Sequence, residues 1–216
     1  RSPLPVLLYT VPPFTAYDLP LEVIVALAEH PNIIGIKESS GNVEKVKAMV
    51  ESTRHIKRTA VVTEVQQAVT ARMKPGVAAA NDALVNLGGT AVAAPPKLKT
   101  RNKEAGFQVL VGAAHTLLDS LQSGASGAVL AIASPAPTIC FEIYSAWRDN
   151  DLDLARTKQE ALAPVSRRVV SEMGIPAVKY AMDLNGYYGG PPRLPLLPLT
   201  AAQKTEIAAQ MAGFRN

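Results

Sequence analysis

Four short apolar runs, each followed by a polar turn and a helical pattern, constrain this chain more than any other feature. "PVLLY" (5–9), "IIGI" (33–36), "FQVLVG" (107–112) and "GAVLAIAS" (127–134) are of strand length and continuously apolar. That is the pattern of strands whose two faces are both covered, as in parallel sheets flanked by helices. After the second run, Ser39, Ser40, Gly41 and Asn42 are turn and cap residues, and Val43, Val46, Met49 and Val50 recur at helical spacing. After the first, Asp18 and Pro20 suit a helix start, and Leu21, Ile24, Val25, Leu27 and Ala28 form an apolar face before "HPN" stops it. The third run leads into a helix through about Gln122 and the fourth into one through about Trp147. The spacing therefore predicts an α/β chain of four βα units.

The beat is interrupted once. Residues 57–104 are small, Pro/Gly-punctuated and basic, and Thr63 with Gln66 reads as a capping box opening a short helix through Met73. This segment is expected to be an insertion, placed after a helix and before a strand, away from the strand ends where chemistry is done. From about residue 152 the pattern is helical only: 152–173, a piece around "IPAVKYAMDLNG", a Pro-rich crossing "GGPPRLPLLPLT", and a last helix from about Ala201. The expected organisation is a βα region over 1–150, interrupted at about 57–104, and a helical extension over 151–216.

Composition excludes several classes. The single cysteine, Cys140, has no internal disulfide partner, and with His30, His55 and His115 it makes no zinc-type spacing, so no metal is expected. No apolar stretch reaches the roughly 18–20 residues of a membrane span, and the first residues lack a signal-peptide layout, so a cytoplasmic protein is expected. The formal net charge of +4 invites a nucleic-acid reading. Residues 57–104, however, hold eight Lys or Arg against three acids, and the remainder balances to within one charge. Without interleaved aromatics that segment reads as a solvated loop, and no nucleic-acid partner is expected.

The candidate chemistry lies at the strand ends. Lys37 closes the second apolar run, where a snorkelling lysine would be the ordinary reading. Tyr9 closes the first, so both project into one mouth with backbones about 5 Å apart. An amine in an apolar pocket sheds its proton more readily and can add to a carbonyl to give a Schiff base. A neighbouring phenol can relay the protons that carbon–carbon cleavage needs. No Asp, His or Cys cluster offers an alternative of similar coherence. Tyr187 and Tyr188 read as packing residues, His115 as a surface or cap residue at a helix start, and Gly189 and Gly190 as no phosphate cradle.

"YTVPPFT", "GIKESSGN", "FQVLVG", "GAVLAIAS" and "GIPAVKYAMDLNGYYGGPPRLPL", in this order, resemble the dihydrodipicolinate synthase / N-acetylneuraminate lyase family of class I aldolases. "DLP", "EHPNIIGIKES" and "NGYYGGPPRLPL" look closest to the 4-hydroxy-2-oxoglutarate aldolases within it. The resemblance implies the C-terminal half of a (β/α)8 TIM barrel, strands 5 to 8, plus C-terminal helices. It further implies that Lys37 forms an imine with a 2-oxo acid, that Tyr9 relays protons, that Ser39 and Gly112 line the substrate site, and that the Val129 carbonyl faces the lysine. The implied protein is a cofactor-independent pyruvate lyase acting as a homo-oligomer.

Three departures qualify this. Where dihydrodipicolinate synthases carry a carboxylate-binding arginine, two residues after the VP proline, this chain has Phe14, which forms no bidentate ion pair. The asparagine usual at the end of the last strand is Ser134. The family's first four βα units, with their carboxylate-binding loop, are absent. The expected activity is cleavage of 4-hydroxy-2-oxoglutarate or a similar substrate to pyruvate and an aldehyde. Condensation of pyruvate with aspartate semialdehyde, or a catalytically silent fragment, stays open as the alternative.

Overall fold

The computed structural model describes residues 2–63 and 100–214. It divides into two units: residues 1–57 with 106–216, and residues 58–105.

In the first unit, strand β1 (Val6–Thr10) is followed by a single turn, α1 (Pro12–Thr15), and by helix α2 (Leu21–Ala28). Strand β2 (Ile33–Glu38) leads into α3 (Val43–Ser52), whose N-cap Asn42 accepts the Lys45 N–H at 3.1 Å. That cap satisfies one of the backbone donors a helix start leaves free, as its residue type predicts. Asp18, expected to open α2, instead reaches Thr10 Oγ1 and Lys45 Nζ, and Pro20 takes the N-cap position.

The second unit begins with β3 (Arg58–Thr63) and ends with β4 (Thr100–Ala105), paired antiparallel from Arg58↔Ala105 to Thr63↔Thr100. Thr63 is the last residue of β3. The helix expected from there through Gln66 to Met73 lies outside the described residues. Neither strand is marked in the sequence, because "RTAVVT" and "TRNKEA" carry no regular apolar alternation.

The first unit resumes with β5 (Gln108–Val111), a 3-10 turn at Ala114–Thr116, and α4 (Leu117–Gln122). Strand β6 covers only Gly127–Ala128. The expected run to Ser134 gives way to a 3-10 turn at Ala131–Ala133 before α5 (Pro137–Arg148). An apolar run is equally compatible with a buried strand and a buried turn, so the pattern could not place this end. Helix α6 (Leu152–Ser166) contains Pro164 and widens into a π-helical stretch over Arg167–Glu172. Proline brings no N–H to the ladder, and the register relaxes just beyond it, where Met173 N–H reaches Arg168 C=O, five residues back, at 3.1 Å. Helices α7 (Ile175–Leu184) and α8 (Ala201–Met211) follow, the latter opened by a Thr200/Gln203 capping box.

The first unit's sheet is four-stranded, in the order β1-β2-β5-β6, and every pair is parallel. Register puts Thr10, Glu38 and Val111 side by side, at 3%, 1% and 2% exposure. This face lies against the helices, over a core that includes Ile36, Val46, Met49, Leu117, Leu121 and Ile143. Side chains alternate along a strand, so Tyr9, Lys37 and Leu110, also register partners, point the other way. That second face is open at its first strand, with Leu7 at 41% and Tyr9 at 55% exposure. Among the described residues no helix is long and apolar enough to cross a membrane.

Candidate active site

Tyr9 and Lys37 are direct register partners, as consecutive parallel strand ends require. Lys37 does not run out to water. It is half-buried, and its Nζ stands 4.4 Å from the centre of the Tyr9 ring, within cation–π range. Both line a cleft of about 380 Å3 at the C-terminal ends of the strands, together with Ser39, Gly112 and His115.

Gly112 is where the backbone must lack a side chain. Its N–H donates to Glu38 C=O at 2.7 Å, extending the β2–β5 ladder past Val111. A Cβ there would lie 2.0 Å from Ser39 Oγ and 3.1 Å from Lys37 Cε. The absent side chain is the space that Ser39 and the lysine stem occupy. Ser39 in turn gives its N–H to Thr10 C=O at 3.1 Å, tying the loop after β2 to the end of β1. Its hydroxyl is buried and has no hydrogen-bond partner among the described residues. A buried hydroxyl without a partner carries a desolvation cost, and a ligand oxygen in the cleft would relieve it.

Val129 continues the edge of the sheet, its N–H donating to Val111 C=O at 2.9 Å. Its side chain is 47% exposed, and the cleft wall on that side is built by Ala131 and Ile132. Phe14, from the turn after β1, lines the opposite wall at 82% exposure and brings no charge.

Two expectations are corrected here. His115 is not an outward cap residue: the 3-10 turn after β5 places it in the cleft wall, half-buried. Burial first, and the Arg167 charge second, push its imidazole below the usual histidine pKa. Tyr188 is not buried packing: it is 86% exposed, with its ring lying over Gly190, and Tyr187 is 42% exposed. What the adjacent glycines do is local. Gly189 lies so close to α7 that a Cβ would meet Lys179 C=O at 1.8 Å, and the Gly189 and Gly190 N–H groups both reach Asp183 Oδ1.

Sequence reasoning also missed a whole wall. Ser166, Val170 and Ser171, from the end of α6 and its π-helical continuation, line the cleft. They lie in a segment read only as covering helix, although π-helical turns within a helix often mark functional sites. Among the described residues no group of His, Cys, Asp and Glu is placed to hold a metal ion.

The arrangement is an amine and a phenol in contact, at the end of a parallel sheet, in a cleft otherwise lined by hydroxyls, an imidazole and apolar groups. Comparison with known proteins places it. The Dihydrodipicolinate synthetase family model matches residues 1–95 and 96–213. A 4-hydroxy-tetrahydrodipicolinate synthase of Acidiphilium cryptum is 28% identical over 211 residues, which are 98% of this chain and 55% of that protein. The dihydrodipicolinate synthase DapA-2 of Bacillus anthracis superposes with a TM-score of 0.70 at 22% identity, over 100% of this chain and 56% of its own. The chloride-inhibited dihydrodipicolinate synthase of Acinetobacter baumannii, solved with pyruvate, gives 0.68 at 24% identity, over 99% and 57%. The chain thus spans a little over half the length of the relatives it matches, and it belongs to the dihydrodipicolinate synthetase family.

Proposed function

We propose that this chain carries the imine-forming half of a class I aldolase, in which Lys37 bonds to C2 of a 2-oxo acid and Tyr9 relays protons. The carrying observation is the Lys37 Nζ held 4.4 Å from the Tyr9 ring at paired strand ends. The neutral amine adds to the C2 ketone, and loss of water leaves a protonated imine. When the C4 hydroxyl gives up its proton, the C3–C4 bond breaks, the aldehyde departs, and the bonding electrons enter the nitrogen-conjugated enamine. A proton then returns to C3, and water releases pyruvate. Ser39 Oγ, buried and free of protein partners among the described residues, is the proposed donor to a substrate oxygen. Gly112 contributes room, and the Val129 carbonyl is proposed to face the lysine from just beyond β6, at the far edge of the sheet. No cofactor takes part in these steps.

Phe14 supports a cleavage reaction on 4-hydroxy-2-oxoglutarate or a similar substrate, because that wall carries no guanidinium for a carboxylate. The printed name of the Acidiphilium relative favours the second reading, condensation of pyruvate with aspartate semialdehyde. The span of 55% of that relative, with an open face on the four-stranded sheet, supports strands 5 to 8 of an eight-stranded barrel. Turnover then belongs to the completed barrel, a cytoplasmic homo-oligomer.

The test is reduction with borohydride in the completed protein during incubation with 4-hydroxy-2-oxoglutarate, followed by peptide mass mapping. A pyruvate-sized adduct on Lys37 is expected, and none in Lys37→Arg, whose guanidinium stays protonated. An adduct of the uncleaved substrate alone would remove the cleavage step. Discharge of a preformed pyruvate adduct by aspartate semialdehyde would favour the second reading. An unmodified Lys37 at saturating substrate would overturn the proposal.

A further inference from the structure

His115 lines the same cleft as Lys37 and is half-buried there. Neither of its ring nitrogens has a hydrogen-bond partner among the described residues. The ring packs on the polar turn after β2. Gly41 in that turn has φ +78°, and a Cβ there would lie 3.1 Å from His115 Nε2 and 3.3 Å from Ala113 Cβ. The missing side chain leaves that edge of the imidazole uncrowded. A polar ring partly withdrawn from water, with both nitrogens unmet, is a group waiting for a ligand.

The strands set the order of groups along the cleft. In the sheet order β1-β2-β5, Lys37 has Tyr9 on one side and, on the other, the segment after β5 that carries Gly112 and His115. Ser39 is the nearer hydroxyl, since the space a Gly112 Cβ would take touches both Ser39 Oγ and Lys37 Cε. His115 lies further along both segments: three residues past Gly112, and over Gly41, two residues past Ser39. With a 2-oxo acid bonded to Lys37 at C2, Ser39 therefore meets oxygens beside the imine, and His115 meets atoms further along the chain. Burial, the larger cause, holds the imidazole pKa low, so the ring is mainly uncharged at neutral pH, one nitrogen donating and the other accepting. Among the described residues no cation but Lys37 lines the cleft. A hydroxyl, which both donates and accepts, matches such a ring better than a carboxylate does.

We propose that His115 hydrogen-bonds the C4 hydroxyl of the 2-oxo acid held at Lys37, and so selects 4-hydroxylated substrates over their deoxy analogues. This rests on the aldolase reading and names the residue that reads the carbon at which the chain is cut. The hydroxyl completes the imidazole's hydrogen bonding, whereas a methylene at C4 leaves it unmet in a place water has partly left. His115 is thus a specificity residue, and the bond-making groups stay Lys37 and Tyr9.

The test compares 4-hydroxy-2-oxoglutarate with 2-oxoglutarate, which has the same length, charge and ketone and differs only at C4. The rate of Lys37 modification under borohydride is followed by peptide mass mapping in the completed protein, with each acid alone and subsaturating. Substrate-sized and pyruvate-sized adducts are counted together, and each rate is divided by the same protein's rate with pyruvate, which has no C4. The wild type should be modified about tenfold faster with the hydroxylated acid, or more. His115→Leu should erase the difference, and His115→Gln, which keeps an uncharged donor and acceptor, should retain part of it. A purely structural role would slow all three acids alike and leave the hydroxyl preference in place. Equal rates with the two five-carbon acids in the wild type, or a preference that survives His115→Leu, would overturn the inference and leave the imine reading standing. If none of the three acids modifies wild-type Lys37, the aldolase reading falls and this inference falls with it.

Discussion

Gly112→Ala is the most informative single change, because it adds one carbon where the structure has no room for it. The new Cβ would lie 2.0 Å from Ser39 Oγ, 2.8 Å from Ser39 Cβ and 3.1 Å from Lys37 Cε. Ordinary contact begins near 3.5 Å between carbons, so Ser39 must retreat by more than an ångström and Lys37 by a few tenths. Ser39 cannot retreat freely, since its N–H is tied to Thr10 C=O and the Gly112 N–H to Glu38 C=O. Overpacking of this kind costs about 1–3 kcal/mol of stability. Displacing a reacting group by about 1 Å costs on the order of a hundredfold in rate, so a shift of the amine by a few tenths of an ångström should cost roughly threefold to tenfold. The expected outcome is a fall of that order in the rate of borohydride-trappable imine formation, with a lowered urea midpoint. Ser39→Gly removes both the nearest atoms, so the double variant should recover most of the lost stability, and the two changes should couple by about 1 kcal/mol or more in a double-mutant cycle. Imine formation at the wild-type rate in Gly112→Ala, with no change in midpoint, would refute the view that this glycine is the space the site is built in.

Two further changes test the supports around the cleft. Glu38 is 1% exposed, with Oε1 accepting the Ser40 N–H at 2.8 Å; Glu38→Ala leaves that donor unmet and should cost about 1–3 kcal/mol by urea denaturation, an unchanged midpoint arguing against the hydrogen bond's importance. Arg168 joins the π-helical wall to α8 through Glu206, and its hydrogen bond holds the Glu206 carboxyl below the usual range. A carboxyl depressed in the folded state stabilises above its unfolded pKa, and that contribution fades as pH falls through the folded value. The difference in unfolding midpoint between wild type and Arg168→Ala should therefore be present at neutral pH and vanish in acid, and a difference constant with pH would count against the pair.

The parts of the site that lie on strand ends were legible, and the parts brought in by tertiary packing were not. Tyr9, Lys37 and Gly112 each close an apolar run, so a parallel sheet carries them to one edge whatever the helices do. Ser39 follows from the polar turn after β2. His115 could have been found by the same rule, since it sits in the loop after β5, and loops at that end of a parallel sheet are where sites form. Locally, though, a histidine at a helix start reads as a cap. No local signal marks Ser166 or Ser171. Their side of α6 faces the cleft only because the helix packs on the 3-10 turn after β5, where buried Gln159 accepts the Leu118 N–H and donates to Ala114 C=O, each at 3.0 Å. A glutamine in a helical pattern predicts solvent, and only the folded chain shows it as a bracket.

Strand parity is what joins stability to chemistry here. Along β2, Ile36 and Glu38 face the helices at 0% and 1% exposure, and Lys37 between them faces the cleft. Slipping β2 by one residue against β1 and β5 would place Lys37 among Val46, Met49 and Leu117 and expose Ile36, exchanging an apolar burial for a charged one. The register that keeps the amine beside Tyr9 is therefore the same register that the core enforces. It also accounts for an acid directly after the lysine: Glu38 turns back toward the helices, where its carboxylate caps the Ser40 N–H and shapes the polar turn that carries Ser39 into the cleft. A buried carboxylate is a cost that an apolar residue would avoid. It is explained by the turn it holds, which sets the hydroxyl beside the amine.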